Sequence, residues 1–383
     1  MNFDFSTSPR ILFGAGALPE AAKAAAGWGN RLALVTGHNA TRAAPLREQL
    51  AAKGLAVLPL TVHGEPTTDW VSETVAQARA FGPEVVIGFG GGSALDAGKA
   101  LAALLTNPGA ALDYLEVIGR GQPLANAPLP YIAIPTTAGT GSEVTRNAVL
   151  ASPEHRVKAS LRNPLMLPRL AVVDPTLTYD LPPALTASTG LDALTQLIEP
   201  YTCNAPNPLV DAVCREGIGR AARSVRIAYE NGHNEAARAD MALASLFSGL
   251  ALANAKLGAV HGFAGPLGGL YPAPHGVICA RLLPIVTEAN IRALQKRRPD
   301  SPALARYADV MRWLTGEAHA TLADGVRWLY DLRDALHIPP LAQYGFTAEA
   351  IPTVIPQAQT ASSMKGNAIG LTDDELAEAL RAA

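Results

Sequence analysis

Strand-length apolar runs and amphipathic helical runs take turns through the first part of this chain: RLALVTG at 31–37, PLREQLAAKG at 45–54, LAVLPLTV at 55–62, WVSETVAQARAFG at 70–82 and EVVIGFGGGS at 84–93. Runs that are apolar along their whole length leave no face for water, so they predict a parallel sheet covered by helices on both sides. LPYIAIPTT at 129–137 and RLAVVDP at 169–175 read as further strands. After LPPALTAS the period changes: apolar residues recur every three or four positions, as in MALASLFSGLALANA and YADVMRWL, and β-branched runs become scarce. A chain of 383 residues exceeds what one core usually supports. The pattern therefore predicts a doubly wound α/β parallel-sheet domain over residues 1–180 and an all-α domain over 181–383.

Charge and composition narrow the partners. A formal net charge of −2 provides no basic excess to neutralise the phosphates of a nucleic acid. No stretch reaches about 18 uninterrupted apolar residues, and MNFDFSTSPR lacks the charged-then-apolar layout of a secretory leader. A small-molecule substrate, no nucleic acid, no membrane and a cytoplasmic location are expected. The three cysteines, Cys203, Cys214 and Cys279, have no CxxC spacing, which reads as reduced core thiols rather than a disulfide framework.

In EVVIGFGGGSALDAGKA, Gly88, Gly90, Gly91 and Gly92 stand between an apolar strand and a helix whose first turn holds Ser93 and Asp96. Glycines let backbone approach a ligand closely, and the free N–H groups of a helix start suit a pyrophosphate. The loop is neither G-x-G-x-x-G, since Ser93 stands where the third glycine belongs, nor a Walker A loop, since Ala100 follows Lys99. A second polar loop, from Pro135 to Glu143, follows the next strand, and two such loops at strand ends can flank one crevice. A dinucleotide is the expected ligand of the first domain.

Asp192 and Gln196 lie four apart in a helical stretch, so their side chains share a face. His261 closes another helical run, and His275 lies in the turn-like PAPHG. Two histidines and a carboxylate can bind a divalent metal while leaving positions open for substrate, although a buried histidine satisfied by hydrogen bonds has the same appearance in sequence.

Taken together, GFGGGSALDAGKA, IPTTAGTGSEVT, VVDPTLTYDLPP, GLDALTQLIEPY, GAVHGFAGPLGGLYPAPHG and LTDDELAEAL resemble the iron-containing (group III) alcohol dehydrogenases, in order and spacing, over essentially the whole chain. The resemblance implies a dinucleotide-binding α/β domain, a helical domain, and a cleft holding nicotinamide and a divalent metal. It implies that Gly92 and Ser93 contact the pyrophosphate, that Gly91 shapes the loop, that Thr136, Thr137 and Thr140 line the nucleotide, and that Lys158 lies near the nicotinamide ribose. Asp192, His261 and His275 match three metal ligands of the family. Gln196 stands where the fourth, a histidine, belongs, and Gly265 replaces a further family histidine. A glutamine oxygen could hold the fourth place weakly or orient a water. The glycerol dehydrogenase relatives resemble this arrangement in binding zinc through one Asp and two His.

The implied activity is hydride transfer between NAD(P)H and a small alcohol, aldehyde or ketone, assisted by Fe2+ or Zn2+ as a Lewis acid. Without metal, His261 and His275 become candidate acids. The aspartate that NAD-preferring members place after the second strand is Gly37 here, followed by His38, Asn39 and Arg42, so NADP is expected to be accepted and preferred over NAD. The family also implies a homo-oligomer, a dimer or larger. A maleylacetate-type reductase, with Arg162 or Lys365 as anion partner, a dehydroquinate-synthase-like lyase and a catalytically silent nucleotide-binding subunit are the alternatives.

Overall fold

The computed structural model describes residues 2–155 and 157–383. Its first unit, Ser6–Thr137 with Gly141–Thr178, runs β1 (Ile11–Phe13), α1 (Pro19–Ala26), β2 (Arg31–Thr36), α2 (Ala44–Ala52), β3 (Ala56–Thr61), α3 (Thr68–Phe81), β4 (Val85–Gly90), α4 (Gly92–Thr106), a short α5 (Ala111–Tyr114), β5 (Tyr131–Pro135), β6 (Asn147–Ser152), β7 (Val157–Arg162) and β8 (Leu170–Val173). Six of these strands form an all-parallel sheet in the order β3-β2-β4-β5-β8-β1.

Alternation along each strand explains the continuous apolar runs. Leu32 and Leu34 of β2 enter one buried cluster with Ile87, Ile132 and the α1 and α2 residues Ala22 and Leu46. Ala33 and Val35 enter another, with Val86, Ala133 and the α3 and α4 residues Val75 and Leu101. Both faces are thus dry, as a parallel sheet requires. On the second face, the Tyr131 ring occupies the space a side chain would need at Gly88 on β4 and Gly98 on α4, and its hydroxyl donates to the Leu95 carbonyl at 2.8 Å. Strands β6 and β7 form a separate antiparallel hairpin, absent from the sequence reading because residue type does not follow its burial alternation: in β6 the exposed Val149 is apolar and the terminal Ser152 is buried.

The second unit is Tyr179–Ala383 joined by Ala138–Thr140 and the N-terminal residues up to Phe5. It holds α6 (Pro183–Thr202), α7 (Pro208–Glu230), α8 (Glu235–Asn254), α9 (Ala259–Leu270), α10 (His275–Arg297), α11 (Pro302–Thr315), α12 (Leu322–Ala335), α13 (Ile351–Thr360) and α14 (Asp373–Arg381), and no strand among the described residues. By length and composition α8 could cross a membrane, yet 61% of its apolar window is buried inside the chain. Its Arg238 is buried as well, donating to Gly232, Thr186 and Tyr179, which marks α8 as a core helix of the bundle. Leu194, Leu197 and Ile198 of α6, Val225 of α7 and Met241 of α8 share its main apolar cluster.

Candidate active site

The sheet order changes direction between β2 and β4: from β2 the chain steps outward to β3, then returns to lay β4 on the other side and continues to β5 and β8. Open α/β sheets bind ligands beyond the carboxyl ends of the strands at such a switch point. Here those ends carry Gly37 after β2 and Gly90 at the end of β4. Gly90 has φ +155°, and a Cβ on it would lie 2.7 Å from the Ala94 Cβ and 3.4 Å from the Gly37 nitrogen, so no side chain fits where the two strand ends meet. Gly91 follows as the N-cap of α4, with Gly92 and Ser93 as its first residues and their N–H groups unpaired by any helical carbonyl.

Other residues expected at the nucleotide converge on this loop in part. A Cβ at Gly91 would touch the Thr137 side chain at 3.3 Å. Arg42 reaches Thr136 Oγ1 at 3.5 Å and also donates to the Leu177 carbonyl, which ties the segment after β2 to the end of β5 and to the turn after β8. Beyond Gly37 the space for a side chain is open, and His38 and Asn39 are exposed. Lys158 lies on the hairpin, its ammonium 2.8 Å from Glu65. Thr140 belongs to the helical unit, where its carbonyl accepts from Gln196. Arg162 faces Glu116 at 3.6 Å, and Lys365 lies in the short turn Met364–Gly366.

Within the helical unit, Asp192 comes from the middle of α6, His261 from the first turn of α9 and His275 from the first position of α10. Both histidines open helices rather than closing a helix or sitting in a turn, because Pro274 serves as the N-cap of α10 instead of breaking the chain. Gly276 lets α10 approach α6: a Cβ there would meet the Ser188 carbonyl oxygen at 2.8 Å. The result places Asp192 Oδ1 3.6 Å from Nε2 of His261 and 3.6 Å from Nε2 of His275. Tetrahedral ligands at ~2.1 Å from a common ion lie about 3.4 Å apart, close to this spacing.

Asp192 Oδ1 and His261 Nε2 are buried with no hydrogen-bond partner. Orphaned polar atoms of this kind are costly and call for an unseen partner. Nδ1 of His261 is held by Glu199 at 2.5 Å, and the other Glu199 oxygen accepts from the Val260 N–H at 2.7 Å. Asn367, itself bonded to Asn290, accepts from the Ala259 N–H, so two buried side chains cap α9. With Nδ1 as donor, Nε2 carries the lone pair, which is the arrangement of a metal-binding histidine. His261 has 6% of its side chain exposed and His275 39%, so access to the cluster is from the His275 side.

The surrounding charge also favours a cation. Burial pushes the Asp192 carboxyl up, but His275 and His261 more than offset this and hold it below the usual range. Burial pulls the His261 imidazole down, yet Cys279, Glu199 and Asp192 outweigh it and raise its pKa far above normal. Cys279, against burial and with the help of Asp192, lifts His275 to about 9. The negative charge that holds these protons favours a cation in the pocket, and a divalent ion binds there only by displacing them.

Gln196 is buried, with its amide nitrogen donating to the Thr140 carbonyl at 2.9 Å and Ser248 Oγ at 3.0 Å. Its oxygen is therefore the atom it has left to offer a metal. Two residues of the site escaped the sequence reading. Glu199 lies seven residues after Asp192 and Cys279 four after His275, so both share a helix face with a recognised candidate, and that spacing was the available signal. Cys279 joins Asp192, His261 and His275 in a cluster whose donor atoms all lie within 4.8 Å of one another.

The iron-containing alcohol dehydrogenase family model matches residues 8–175, and the model of the C-terminal part of Fe-containing alcohol dehydrogenases matches 186–383. The chain is 39% identical over 299 residues to alcohol dehydrogenase 4 of Saccharomyces cerevisiae strain YJM789, covering 77% of each. The crystal structure of a 1,3-propanediol oxidoreductase superposes with a TM-score of 0.91 at 31% identity, covering 100% of this chain and 99% of that one. Sulfoacetaldehyde reductase from Bifidobacterium kashiwanohense, in complex with NAD+, superposes with a TM-score of 0.85 at 28% identity, covering 98% and 97%. With a doubly wound parallel sheet, a helical second unit and family models that match residues 8–175 and 186–383, this chain belongs to the iron-containing alcohol dehydrogenases and is an oxidoreductase of alcohols and aldehydes.

Proposed function

We propose that the protein transfers hydride between NADP(H) and a small alcohol or its carbonyl counterpart, with a divalent ion held by Asp192, His261 and His275. The observation that carries this reading is the pair of orphaned atoms, Asp192 Oδ1 and His261 Nε2, buried at ligand spacing. When bound, a divalent ion supplies Lewis acidity, lowering the pKa of an alcohol and polarising a carbonyl, and the nicotinamide supplies or takes the hydride. Glu199 keeps the His261 ring in one tautomer and orientation. His275, the open member of the three, faces arriving substrate. Gln196 pins Ala138–Thr140 against α6 and α8, and its oxygen is available to a bound water.

On the α/β unit, Gly91, Gly92 and Ser93 seat the pyrophosphate at the start of α4, Thr136 and Thr137 line the nucleotide, and Lys158 lies toward the nicotinamide ribose. Gly37 supports NADP: the space beside it is open, no acid follows it, and His38, Asn39 and Arg42 can donate to a 2′-phosphate. Three free thiols fit a reducing compartment, and we place the enzyme in the cytoplasm as a homo-oligomer.

The test is elemental analysis of purified protein together with NADPH oxidation across a panel of aldehydes and ketones. Bound zinc or iron, turnover, and loss of both in His261→Ala are expected. Protein that lacks metal, does not respond to added zinc or ferrous ion, and keeps full activity in His261→Ala would overturn the Lewis-acid reading.

A further inference from the structure

The helical unit holds a fourth potential donor that the reading of Asp192, His261 and His275 does not use. Cys279 lies one turn after His275 on α10, with no exposed surface, and its Sγ is 3.6 Å from His275 Nε2. Cys279 belongs to a buried apolar cluster with Phe263, Ile278 and Leu282, yet its sulfur also meets a carboxylate and two imidazoles, and all four donor atoms lie within 4.8 Å of one another. Zinc bonds of ~2.3 Å to sulfur and ~2.1 Å to nitrogen, at a tetrahedral angle, separate the two donors by about 3.6 Å. Position 196, meanwhile, has its amide hydrogens on Thr140 and Ser248 and leaves only a neutral amide oxygen, a harder donor than a thiolate.

We propose that this chain supplies the fourth metal ligand from Cys279 on α10 rather than from position 196 on α6, giving an Asp192–His261–His275–Cys279 site suited to zinc rather than ferrous iron, to which a substrate oxygen would add as a fifth ligand. The proposal rests on the reading of the first three residues as a metal site. Thiolate is the softest of the protein ligands and favours zinc over harder ions. Asp192 and a Cys279 thiolate together bring two negative charges, enough to neutralise a divalent ion with two neutral imidazoles. The metal replaces the thiol proton, which goes to solvent, and no oxidant is required. The i, i+4 placement of His275 and Cys279 on one helix means that both ligands are set by the same element, so forming α10 prearranges half of the site.

The test uses chelator-stripped full-length protein titrated with Co2+ and, separately, with Zn2+, for the wild type and for Cys279→Ser. Three readouts are followed: the near-ultraviolet thiolate-to-cobalt charge-transfer absorption, metal affinity by competition with a chromophoric chelator, and alkylation of each cysteine resolved by peptide mass spectrometry. Cys203 and Cys214, also buried and free, are the internal controls. The expected result is a charge-transfer band in the wild type, zinc protection of Cys279 alone, and in Cys279→Ser no band and affinity at least tenfold weaker. If cobalt binds without the band and zinc leaves Cys279 alkylation unchanged, the assignment of Cys279 is overturned while the three-residue site stands. If neither metal binds the wild type, the site itself is overturned and the cysteine with it. The wild-type absorption and alkylation data decide the matter even if Cys279→Ser does not fold.

Discussion

The Glu199 carboxylate meets His261 Nδ1 at 2.5 Å with one oxygen and the Val260 N–H at 2.7 Å with the other. One acid thereby holds both the ring of His261, proposed above as a metal ligand, and the start of the helix that carries it. In Glu199→Gln the charge that favours an Nε2 lone pair is gone, while an acceptor for Val260 remains. Outer partners of this kind are worth about 10- to 100-fold in metal affinity. Chelator competition should show a loss of that size with little change in Tm. Unchanged affinity would assign Glu199 to helix capping alone.

Gly37→Asp tests cofactor choice. The position has no atom within 4 Å of a built Cβ, so the substitution should not disturb the fold. An aspartate there repels a 2′-phosphate and accepts from a ribose hydroxyl. The ratio of kcat/KM for NADPH over NADH should exceed one in the wild type and fall by tenfold or more in the variant. A wild-type ratio well below one, or a ratio the variant does not move, would show that this loop does not read the 2′ position.

Gly92→Val tests the phosphate loop. Gly92 is the first helical residue of α4, at the point where the pyrophosphate is expected. A branched side chain there should weaken NADPH binding at least tenfold, measured by fluorescence titration, with a much smaller effect on unfolding. A folded variant with wild-type affinity would remove the loop from the cofactor site.

Glu143 provides a pH signature. Burial pushes its carboxyl up to about 7, against its backbone hydrogen bond and the nearby Lys99 ammonium. The unfolded chain ionises it near 4.5, so the folded state binds the extra proton between these values. This contribution to stability is fully present below pH 4.5 and is lost as pH rises to about 7, amounting to ~3 kcal/mol. Glu143→Gln should remove that decline and be more stable than the wild type above pH 7. Parallel stability–pH curves for the two proteins would contradict the assignment.

Legibility in sequence followed how local each signal was. The sheet strands could be read because residues such as Leu32 and Ala33 are buried on opposite faces, which makes the whole run apolar. The hairpin β6–β7 could not, since the exposed Val149 is apolar and the strand's burial alternation is not written as polar and apolar residues. Asp192, His261 and His275 were identified by their motifs, but the helix-initial positions of the two histidines were misread because Pro274 and the nearby glycines look like turn residues. Glu199 and Cys279 lay within apolar helical text and gained meaning only when α6, α9 and α10 came together. The tie between Gln196 and Thr140, 56 residues apart, had no local signature.

The capping of α9 also orders events in time. Asp192, His261, His275 and Cys279 have all been synthesised once the ribosome has passed residue 279, but the Ala259 N–H waits for Asn367, 108 residues further along. Until that segment arrives and bonds with Asn290, the helix start beneath His261 lacks one of its two anchors. If these residues hold metal as proposed, a nascent chain can display every donor and still bind poorly. Loading would then be a late checkpoint, passed when nearly all of the helical unit has closed.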